Sequence, residues 1–486
     1  MPIKIIVENN KSRIICSLKT RLLLINQTKI KAKGYFWSPA YRSRQWDGFI
    51  RYVSEVNGMF STGLLDQITS VLDEAGKKWK IIDNRKTFKP IRNLKSIGNK
   101  KFFGHQINSL KSFFNNKVAG IPFLRGILAE ATNAGKSVIA AGIIGSFSKK
   151  KISIVLVNNL DLFAQTYRDL VRLFGEDVGF INSGTFNWKR INVCMVQTLG
   201  NRIKNNPQYR NVLAKVDIVI VDESDELIGR KDCKMVLNAC YNAPVRVAFT
   251  GTALKNKGKL KDKRPHGGST RNQEELAFFG PIIHSTTNRE MVDRGISTMP
   301  NIQILSGNKE IEVKGNYTEE YLLGIIKNKK RHKRIWNRVI QHIKKKRLPI
   351  LILFKYHKHG KNLYNSIPVV DKQAFNIVMV HGKSKIRKSV IGNFNKGKID
   401  ILICSMIIRR GINIPRMKVL INAAGGDSEK NVLQVFGRAI RKHESKKKVY
   451  IDDFYDVGVY LKRHSKHRIK YYRDQKFPVK EKFELN

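Results

Sequence analysis

From about residue 100 onward, short apolar runs alternate with amphipathic stretches. RGILAEA (125–131), ISIVLVN (152–158), INVCMVQ (191–197), VDIVIVDE (216–223) and VRVAFTGT (245–252) read as strands. SVIAAGIIGSF (137–147) and LFAQTYRDLVRLFG (162–175) read as helices between them. Runs such as IVLV and IVIV have no polar face, so they suit strands covered on both sides. Strand–helix alternation predicts a parallel sheet wrapped by helices. The same grammar restarts near residue 300: IQIL, a long basic helix around 317–346, PILILF, NIVMVHG, DILICS, KVLINAA and KVYIDDF.

The first 95 residues differ. IKIIVEN and RIICSL are short β-type runs, followed by an aromatic-rich stretch from Gly34 to Val53. The basic, aperiodic segment 85–100 reads as a linker. The expected organisation is a small β-rich or α+β nucleic-acid-binding domain over 1–95, then two tandem parallel-sheet α/β domains over 96–300 and 301–486. A basic, glycine-containing stretch at 255–271 has no assigned element; a mobile DNA-contacting loop is the expectation for it. A chain of 486 residues is long enough for two or three cores.

Charge narrows the function. Lysine and arginine number 92 against 38 acids, a formal net charge of +54. Such an excess repels itself unless a polyanion is near, so the expected partner is nucleic acid. The five cysteines are scattered without a CxxC pair, which speaks against a disulfide framework or a structural zinc site. Cys233 and Cys240 read as small apolar fillers. The chain opens into PIKIIV without a signal-peptide pattern, and no apolar run reaches membrane-spanning length. The expectation is a cytoplasmic protein, in the host cytoplasm if viral, without a membrane partner.

Candidate chemistry begins at ATNAGKS (131–137), which follows a strand and opens a helix. Backbone N–H groups converging at a helix N-terminus suit a phosphate, a lysine suits its outer oxygens, and a hydroxyl suits magnesium. Lys136 and Ser137 supply the last two, with Thr132, Asn133, Ala134 and Gly135 forming the cradle. Glu130 stands where such loops usually begin with glycine. Asn133 tolerates the left-handed backbone that the loop requires. About 85 residues on, VDIVIVDE delivers Asp222 and Glu223 at a strand's C-terminal end, where open α/β sheets place ligands. Asp222 suits Mg2+ and Glu223 suits a general base. In the last third, QVFGRAIR places Gln434, Arg438 and Arg441 at i, i+4 and i+7, one face of a helix carrying two arginines. Phosphoryl transfer needs such charge in its transition state.

Asp222-Glu223-Ser224-Asp225 resembles the DExx box of superfamily 2 helicases, and other motifs fall in order around it. Phe103–Gln106 resembles the adenine-reading motif, with Gln106 as reader. Val196–Leu199 resembles a DNA-backbone motif, implicating Gln197 and Thr198. Thr250-Gly251-Thr252 resembles the motif coupling ATP state to domain movement. PILILFKYHKHG (349–360) resembles motif IV. VMVHGKS resembles a backbone-contacting loop, implicating His381 and Gly382. ILICSMIIRRGINIP (401–415) resembles motif V, with Ser405 at a backbone position and Gly411 at a hinge near ATP; Asn413 replaces the usual aspartate. Gln434 through Arg441 resembles the arginine-finger motif VI. Together they are similar to phage helicases of the UvsW type, which implies two RecA-like domains, ATP and Mg2+ as cofactors, ATP held between the halves, and branched or forked DNA as partner for branch migration, fork regression and unwinding in phage recombination, replication or repair.

In the aromatic stretch, Tyr35, Phe36, Trp37, Tyr41 and Trp46 interleave with Arg42, Arg44 and Arg51. Aromatics beside arginines can stack bases and neutralise phosphates; the competing expectation is a small domain core with basic rims. Three other functions stay open: an RNA helicase, a double-strand translocase, and a non-catalytic nucleic-acid binding or annealing protein.

Overall fold

The computed structural model describes residues 2–90, 95–251, 270–308, 315–382, 384, 386–406 and 413–482. Thr252, Gly411, most of the basic 255–271 stretch and part of the 85–100 linker lie outside the described residues. The chain divides into two compact units: Met1–Glu130 with Ala134–Thr286, and Thr287–Asn486 with Ala131–Asn133.

The first unit starts with β1 (Ile3–Val7), β2 (Lys11–Ile15), α1 (Leu18–Thr28), β3 (Met59–Ser61), α2 (Leu65–Glu74) and β4 (Trp79–Asp83). The sheet order is β3-β2-β1-β4, with β4 parallel to β1 and the other pairs antiparallel. This layer is α+β. Helix α1 begins on a Ser17 cap but carries no clear apolar stripe, whereas α2 buries Leu65, Ile68, Val71 and Leu72 along one face. Within the aromatic stretch the chain makes a single 3₁₀ turn over Tyr35–Trp37 and a short helix over Pro39–Arg42, and only Phe49–Ile50 is a strand, paired antiparallel with Ile30–Lys31.

An eight-stranded sheet follows. Its elements are α3 (Gly104–Phe114), β5 (Arg125–Ala129), α4 (Lys136–Gly145), β6 (Ser153–Val157), α5 (Leu160–Phe174), β7 (Val178–Ile181), β8 (Phe186–Asn187), β9 (Ile191–Met195), α6 (Val196–Asn205), β10 (Ile218–Val221), α7 (Lys231–Ala239), β11 (Val245–Thr250), α8 (Thr270–Phe279) and β12 (Ile282–Ser285). The order is β8-β7-β9-β6-β10-β11-β5-β12, parallel except for β8. Strands β5, β6, β9, β10 and β11 are buried along their whole length, mostly by apolar side chains, with Arg125, Asn192 and Arg246 among the buried polar exceptions.

One face of this sheet shares a continuous core with the N-terminal layer: Ile5, Val7, Leu24 and Ile68 belong to the same cluster as Phe123, Leu199, Leu237 and Phe279. A Cβ at Gly63 would strike the backbone of Leu276 and Ala277, so glycine permits that close approach. Arg246, fully buried here, donates to the carbonyls of Leu237 (3.1 Å), Cys240 (2.5 Å) and Ala243 (3.3 Å). Cys233 and Cys240 are buried free thiols, as expected of apolar fillers.

The second unit contains β13 (Met299–Ser306), α9 (Tyr317–Tyr321), α10 (Lys329–Lys344), β14 (Ile350–Phe354), β15 (Ile377–Val380), β16 (Ile401–Ser405), β17 (Val419–Asn422), α11 (Glu429–Ala439), β18 (Lys448–Tyr455), α12 (Val459–Asp474) and β19 (Val479–Lys482). Its seven strands are all parallel, in the order β15-β16-β14-β17-β18-β13-β19. The long helix expected over 317–346 is broken: α9 loosens into a π-type turn over Leu322–Ile326, and α10 restarts where the Asn328 side chain caps Arg331 N at 2.8 Å.

Basic side chains on these helices turn inward onto the acids of β18 and the residue that follows it. Asp452 accepts from Arg338 (2.6 Å) and His342 (2.7 Å), Asp453 from Arg468 (3.1 Å) and Tyr472 (2.9 Å), and Asp456 from Arg331 (2.8 Å). Part of the basic excess is thus spent inside the fold. Among the described residues, no helix is long and apolar enough to cross a membrane, and no cluster of three His, Cys, Asp or Glu could hold a metal ion.

Candidate nucleotide site and nucleic-acid surfaces

The phosphate loop leaves β5 and enters α4. Asn133 (φ 83°) and Gly135 (φ 80°) both adopt left-handed backbone, the conformation that glycine accepts freely and asparagine tolerates. The Ala134 carbonyl accepts from His105 Nε2 (2.8 Å) and Gln106 Nε2 (3.0 Å), so α3 clamps the loop from behind. Gln106 also accepts from Phe103 N (3.0 Å), so its side chain caps the first turn of α3. The amide expected to read adenine is therefore positioned by the loop and its own helix.

Glu130 replaces the usual glycine and is completely buried. Its carboxylate accepts from Thr286 Oγ1 (2.7 Å), His284 Nδ1 (2.8 Å) and Ser109 Oγ. Burial pushes its pKa up, but these bonds outweigh burial and hold it below the ordinary value. Nothing in the sequence pointed to this cluster, because its members lie on α3, on β12 and just beyond it.

Lys136 Nζ lies 3.4 Å from Glu223 Oε1. Burial disfavours its charge, yet Glu223, Asp222 and Asp225 together raise its pKa, so the cation is kept for a phosphate. Ser137 and Asp222 line one small cavity with Lys136. A hydroxyl and a carboxylate are all-oxygen donors of the kind Mg2+ accepts while keeping several waters, so the pair fits that ion. Glu223 adopts left-handed backbone (φ 53°), an uncommon conformation for a non-glycine residue. This turn lifts its carboxylate off the end of β10 towards Lys136.

The acidic turn is tied to the end of β11. Ser224 Oγ donates to Phe249 O (3.2 Å) and to Glu275 of α8, and Thr250 Oγ1 donates to Asp225 Oδ1 (3.3 Å). A Cβ on Gly251 would sit 3.6 Å from Lys136 Nζ. Four segments thus converge: the phosphate loop, the DExx turn, the TG segment and α3. Gln197 and Thr198 begin α6 elsewhere in the unit; with its oxygen facing Arg230, Gln197 accepts from Nη1 (2.8 Å) and Nη2 (3.0 Å).

In the second unit, Gln434 and Arg438 lie on α11, but the helix ends at Ala439. Arg441 is not on the expected helix face; it forms an antiparallel bridge with Ser297, and Ile440 O accepts from Thr298 N (2.7 Å). That neighbouring strand segment, invisible locally, ends the helix one residue before Ile440. Arg441 Nη1 donates to Asn413 Oδ1 (2.6 Å), joining the fifth and sixth motifs, and burial lowers its pKa. Ser405 and Gly382 line a common cavity at the C-terminal ends of the strands, with His381 next to Gly382 in sequence and its ring 4.5 Å from that of His357.

In the aromatic stretch, the core reading fails for two residues: Phe36 (51% exposed) and Trp37 (69% exposed) face outward. Trp46 is half-buried, with its indole N–H on Phe49 O at 2.9 Å. Arg42 lies 5.5 Å from the Trp37 ring, and Arg44 is exposed. Arg51 forks Asp47 (2.5 and 3.1 Å), and their hydrogen bond raises the arginine pKa while lowering that of the acid.

Two family models match the chain: "Type III restriction enzyme, res subunit" over residues 99–255 and "Helicase conserved C-terminal domain" over residues 333–443. The chain is 25% identical to the ATP-dependent DNA helicase uvsW of Enterobacteria phage T4, across 96% of each. It is 23% identical to putative helicase 22 of Sulfolobus islandicus filamentous virus, across 77% of this chain and 68% of the other. A fragment of a putative HsdR subunit of a type I restriction enzyme from Vibrio vulnificus shares the fold at TM-score 0.55 and 17% identity, across 78% of this chain and 67% of that one.

Proposed function

The chain is an ATP-hydrolysing superfamily 2 helicase of the UvsW-like kind with two RecA-like domains, and from that premise we propose that it remodels branched DNA, migrating four-way junctions, regressing forks and unwinding duplexes in phage recombination, replication or repair. The observation carrying the reading is the convergence of Lys136, Ser137, Asp222, Glu223 and Gly251 from three separate segments of the first unit. Support for DNA comes from the net charge of +54 and from the DNA helicase relative that matches 96% of the chain.

In this mechanism, Lys136 binds the outer phosphate oxygens, and Ser137 with Asp222 would hold Mg2+, which supplies charge neutralisation at the phosphates. Glu223 takes the proton of the attacking water. Arg438 and Arg441 supply the positive charge of motif VI. Thr250, through Asp225, carries the state of the site into β11 and onward to Gly251 and Thr252. Gln197, Thr198, His381, Gly382 and Ser405 grip the strand backbone, while Arg42 and Arg44 with the exposed aromatics engage the branch.

The test compares ATPase stimulation and strand separation on linear duplex, forked and four-way DNA and on matched RNA. DNA stimulation with faster processing of forks and junctions is expected. Stimulation by RNA alone would make the chain an RNA helicase. DNA-stimulated ATPase without strand separation would make it a double-strand translocase. Nucleic-acid binding without hydrolysis would leave a binding or annealing protein.

A further inference from the structure

The second unit holds a cavity of about 570 Å3 at the C-terminal ends of β14, β16 and β17. That volume is within the roughly 300–1,000 Å3 range of small-ligand sites. One edge carries Gly382 and Ser405, the backbone-gripping positions of the proposed function. The remaining wall has a different chemistry, which a backbone grip does not need. Tyr317, Lys355, Asp427, Asn431 and His464 line it. The Tyr317 ring is half-buried and packs against His464 at 5.0 Å. The Lys355 ammonium donates to Tyr317 Oη at 3.2 Å and lies 4.9–5.3 Å from the rings of Tyr317, Tyr321 and Tyr356. The aromatic bed is therefore rigid, and the cation fixed at its rim remains charged: burial works against it, but the tyrosines raise its pKa. Asp427 is held between His464 (3.5 Å) and His467 (3.3 Å), which places a hydrogen-bond acceptor across from the ring.

An aromatic face, a cation, an amide and a carboxylate around a volume of this size form a receptor for a heteroaromatic base with its phosphate, and its mouth opens where the strand backbone is gripped. We propose that this cavity takes up one unstacked base of the DNA strand, with Tyr317 stacking it and Lys355 and Ser405 on the flanking phosphate. Asp427 and Asn431 meet the base edge. The inference rests on the DNA-motor reading. It adds to that reading a pocket that holds the strand by a base, so that the grip responds to unstacked rather than paired DNA.

The test uses the full chain without nucleotide, a single-stranded oligonucleotide, and the same oligonucleotide made abasic throughout. Tyr317→Ala should weaken binding of the normal strand about 5- to 150-fold, the loss of one stacked base. It should leave the abasic strand and the salt dependence of binding unchanged, and Tyr317→Phe should restore affinity. If Tyr317→Ala leaves the preference for the normal over the abasic strand as in the wild type, the pocket assignment is overturned. Because the Tyr317 ring also packs against its neighbours, a wild-type measurement stands beside the variant. A 2-aminopurine base in the strand should change its fluorescence on binding, keep that change with Tyr317→Phe and lose it with Tyr317→Ala; no change in the wild type overturns the proposal. Free dAMP that binds the cavity while the strand signal stays intact would reassign it to free nucleotides and overturn the strand assignment. Failure of the motor reading looks different: the wild type itself would then show no DNA-stimulated ATPase.

Discussion

Glu130→Gln is the most informative single change to the phosphate loop. The side chain keeps its size, but one carboxylate oxygen becomes an NH2 group. At present the two oxygens are met by three groups, Thr286 Oγ1 at 2.7 Å, His284 Nδ1 at 2.8 Å and Ser109 Oγ, in a site with no solvent access. The amide would point a donor at a donor and surrender the charge on the remaining bonds. A hydrogen bond to a charged group contributes roughly 1.5–3 kcal/mol, and an unmatched buried group costs about 1–3 kcal/mol more. The expected loss is therefore about 3 kcal/mol or more of the stability of the first unit, read by urea unfolding. The pH dependence provides a second signature. The folded pKa of Glu130 is depressed, so its stabilisation is present above the unfolded carboxyl value near 4.5 and is lost as pH falls through the folded value. The variant should lack that acid-side decline. Since Ala131 follows directly, ATP affinity should fall with stability. A variant that unfolds within about 0.5 kcal/mol of wild type at neutral pH and keeps the acid-side decline would refute the anchoring role, because changes of that size are ordinary at unimportant surface sites.

Arg438→Ala should reduce ATP turnover by roughly 10³–10⁵ while leaving DNA affinity unchanged; an assay showing most of the turnover retained would remove the arginine-finger role. Replacing Arg42, Arg44 and Arg51 together with glutamine should weaken branched-DNA binding and flatten its salt dependence by about 0.9 per lost phosphate contact. Arg51→Gln alone should change stability by no more than about 1 kcal/mol, because its pair with Asp47 is solvent-exposed. Lys446 is buried and donates to Met417 O (3.1 Å) and Ala439 O (2.8 Å); burial, then Arg441, pushes its pKa down to about 7. Between pH 7 and its ordinary value of 10.5 the unfolded chain binds more protons than the folded one, so the second unit should gain stability as pH rises through that window. Thermal melts of Lys446→Met should show a flatter profile there.

Periodicity and local motif were sufficient for the central strands of the two sheets, but not for β7, β8 or β19 at or near their edges. A strand buried on both faces is mostly apolar, so β6, β10, β14 and β16 stand out in one dimension, as do the loop and the acidic turn at strand ends. The left-handed backbone at Asn133 follows from the loop's own chemistry. Other features depended on distant neighbours. Arg441 leaves α11 because Ser297 pairs with it. Glu130 belongs to the loop only because His284 and Thr286 meet it from β12 and the residues after it. Arg331, Arg338 and Arg468 look like part of a polyanion-binding surface in composition, yet they neutralise Asp456, Asp452 and Asp453 inside the second unit. The exposure of Phe36 and Trp37 was equally illegible, since an aromatic run reads alike whether it fills a core or lies outside one. Order along the chain determines which backbone hydrogen bonds and apolar faces form. The partners of a buried charge, and the side of an aromatic that meets water, are decided only when elements far apart in sequence come together.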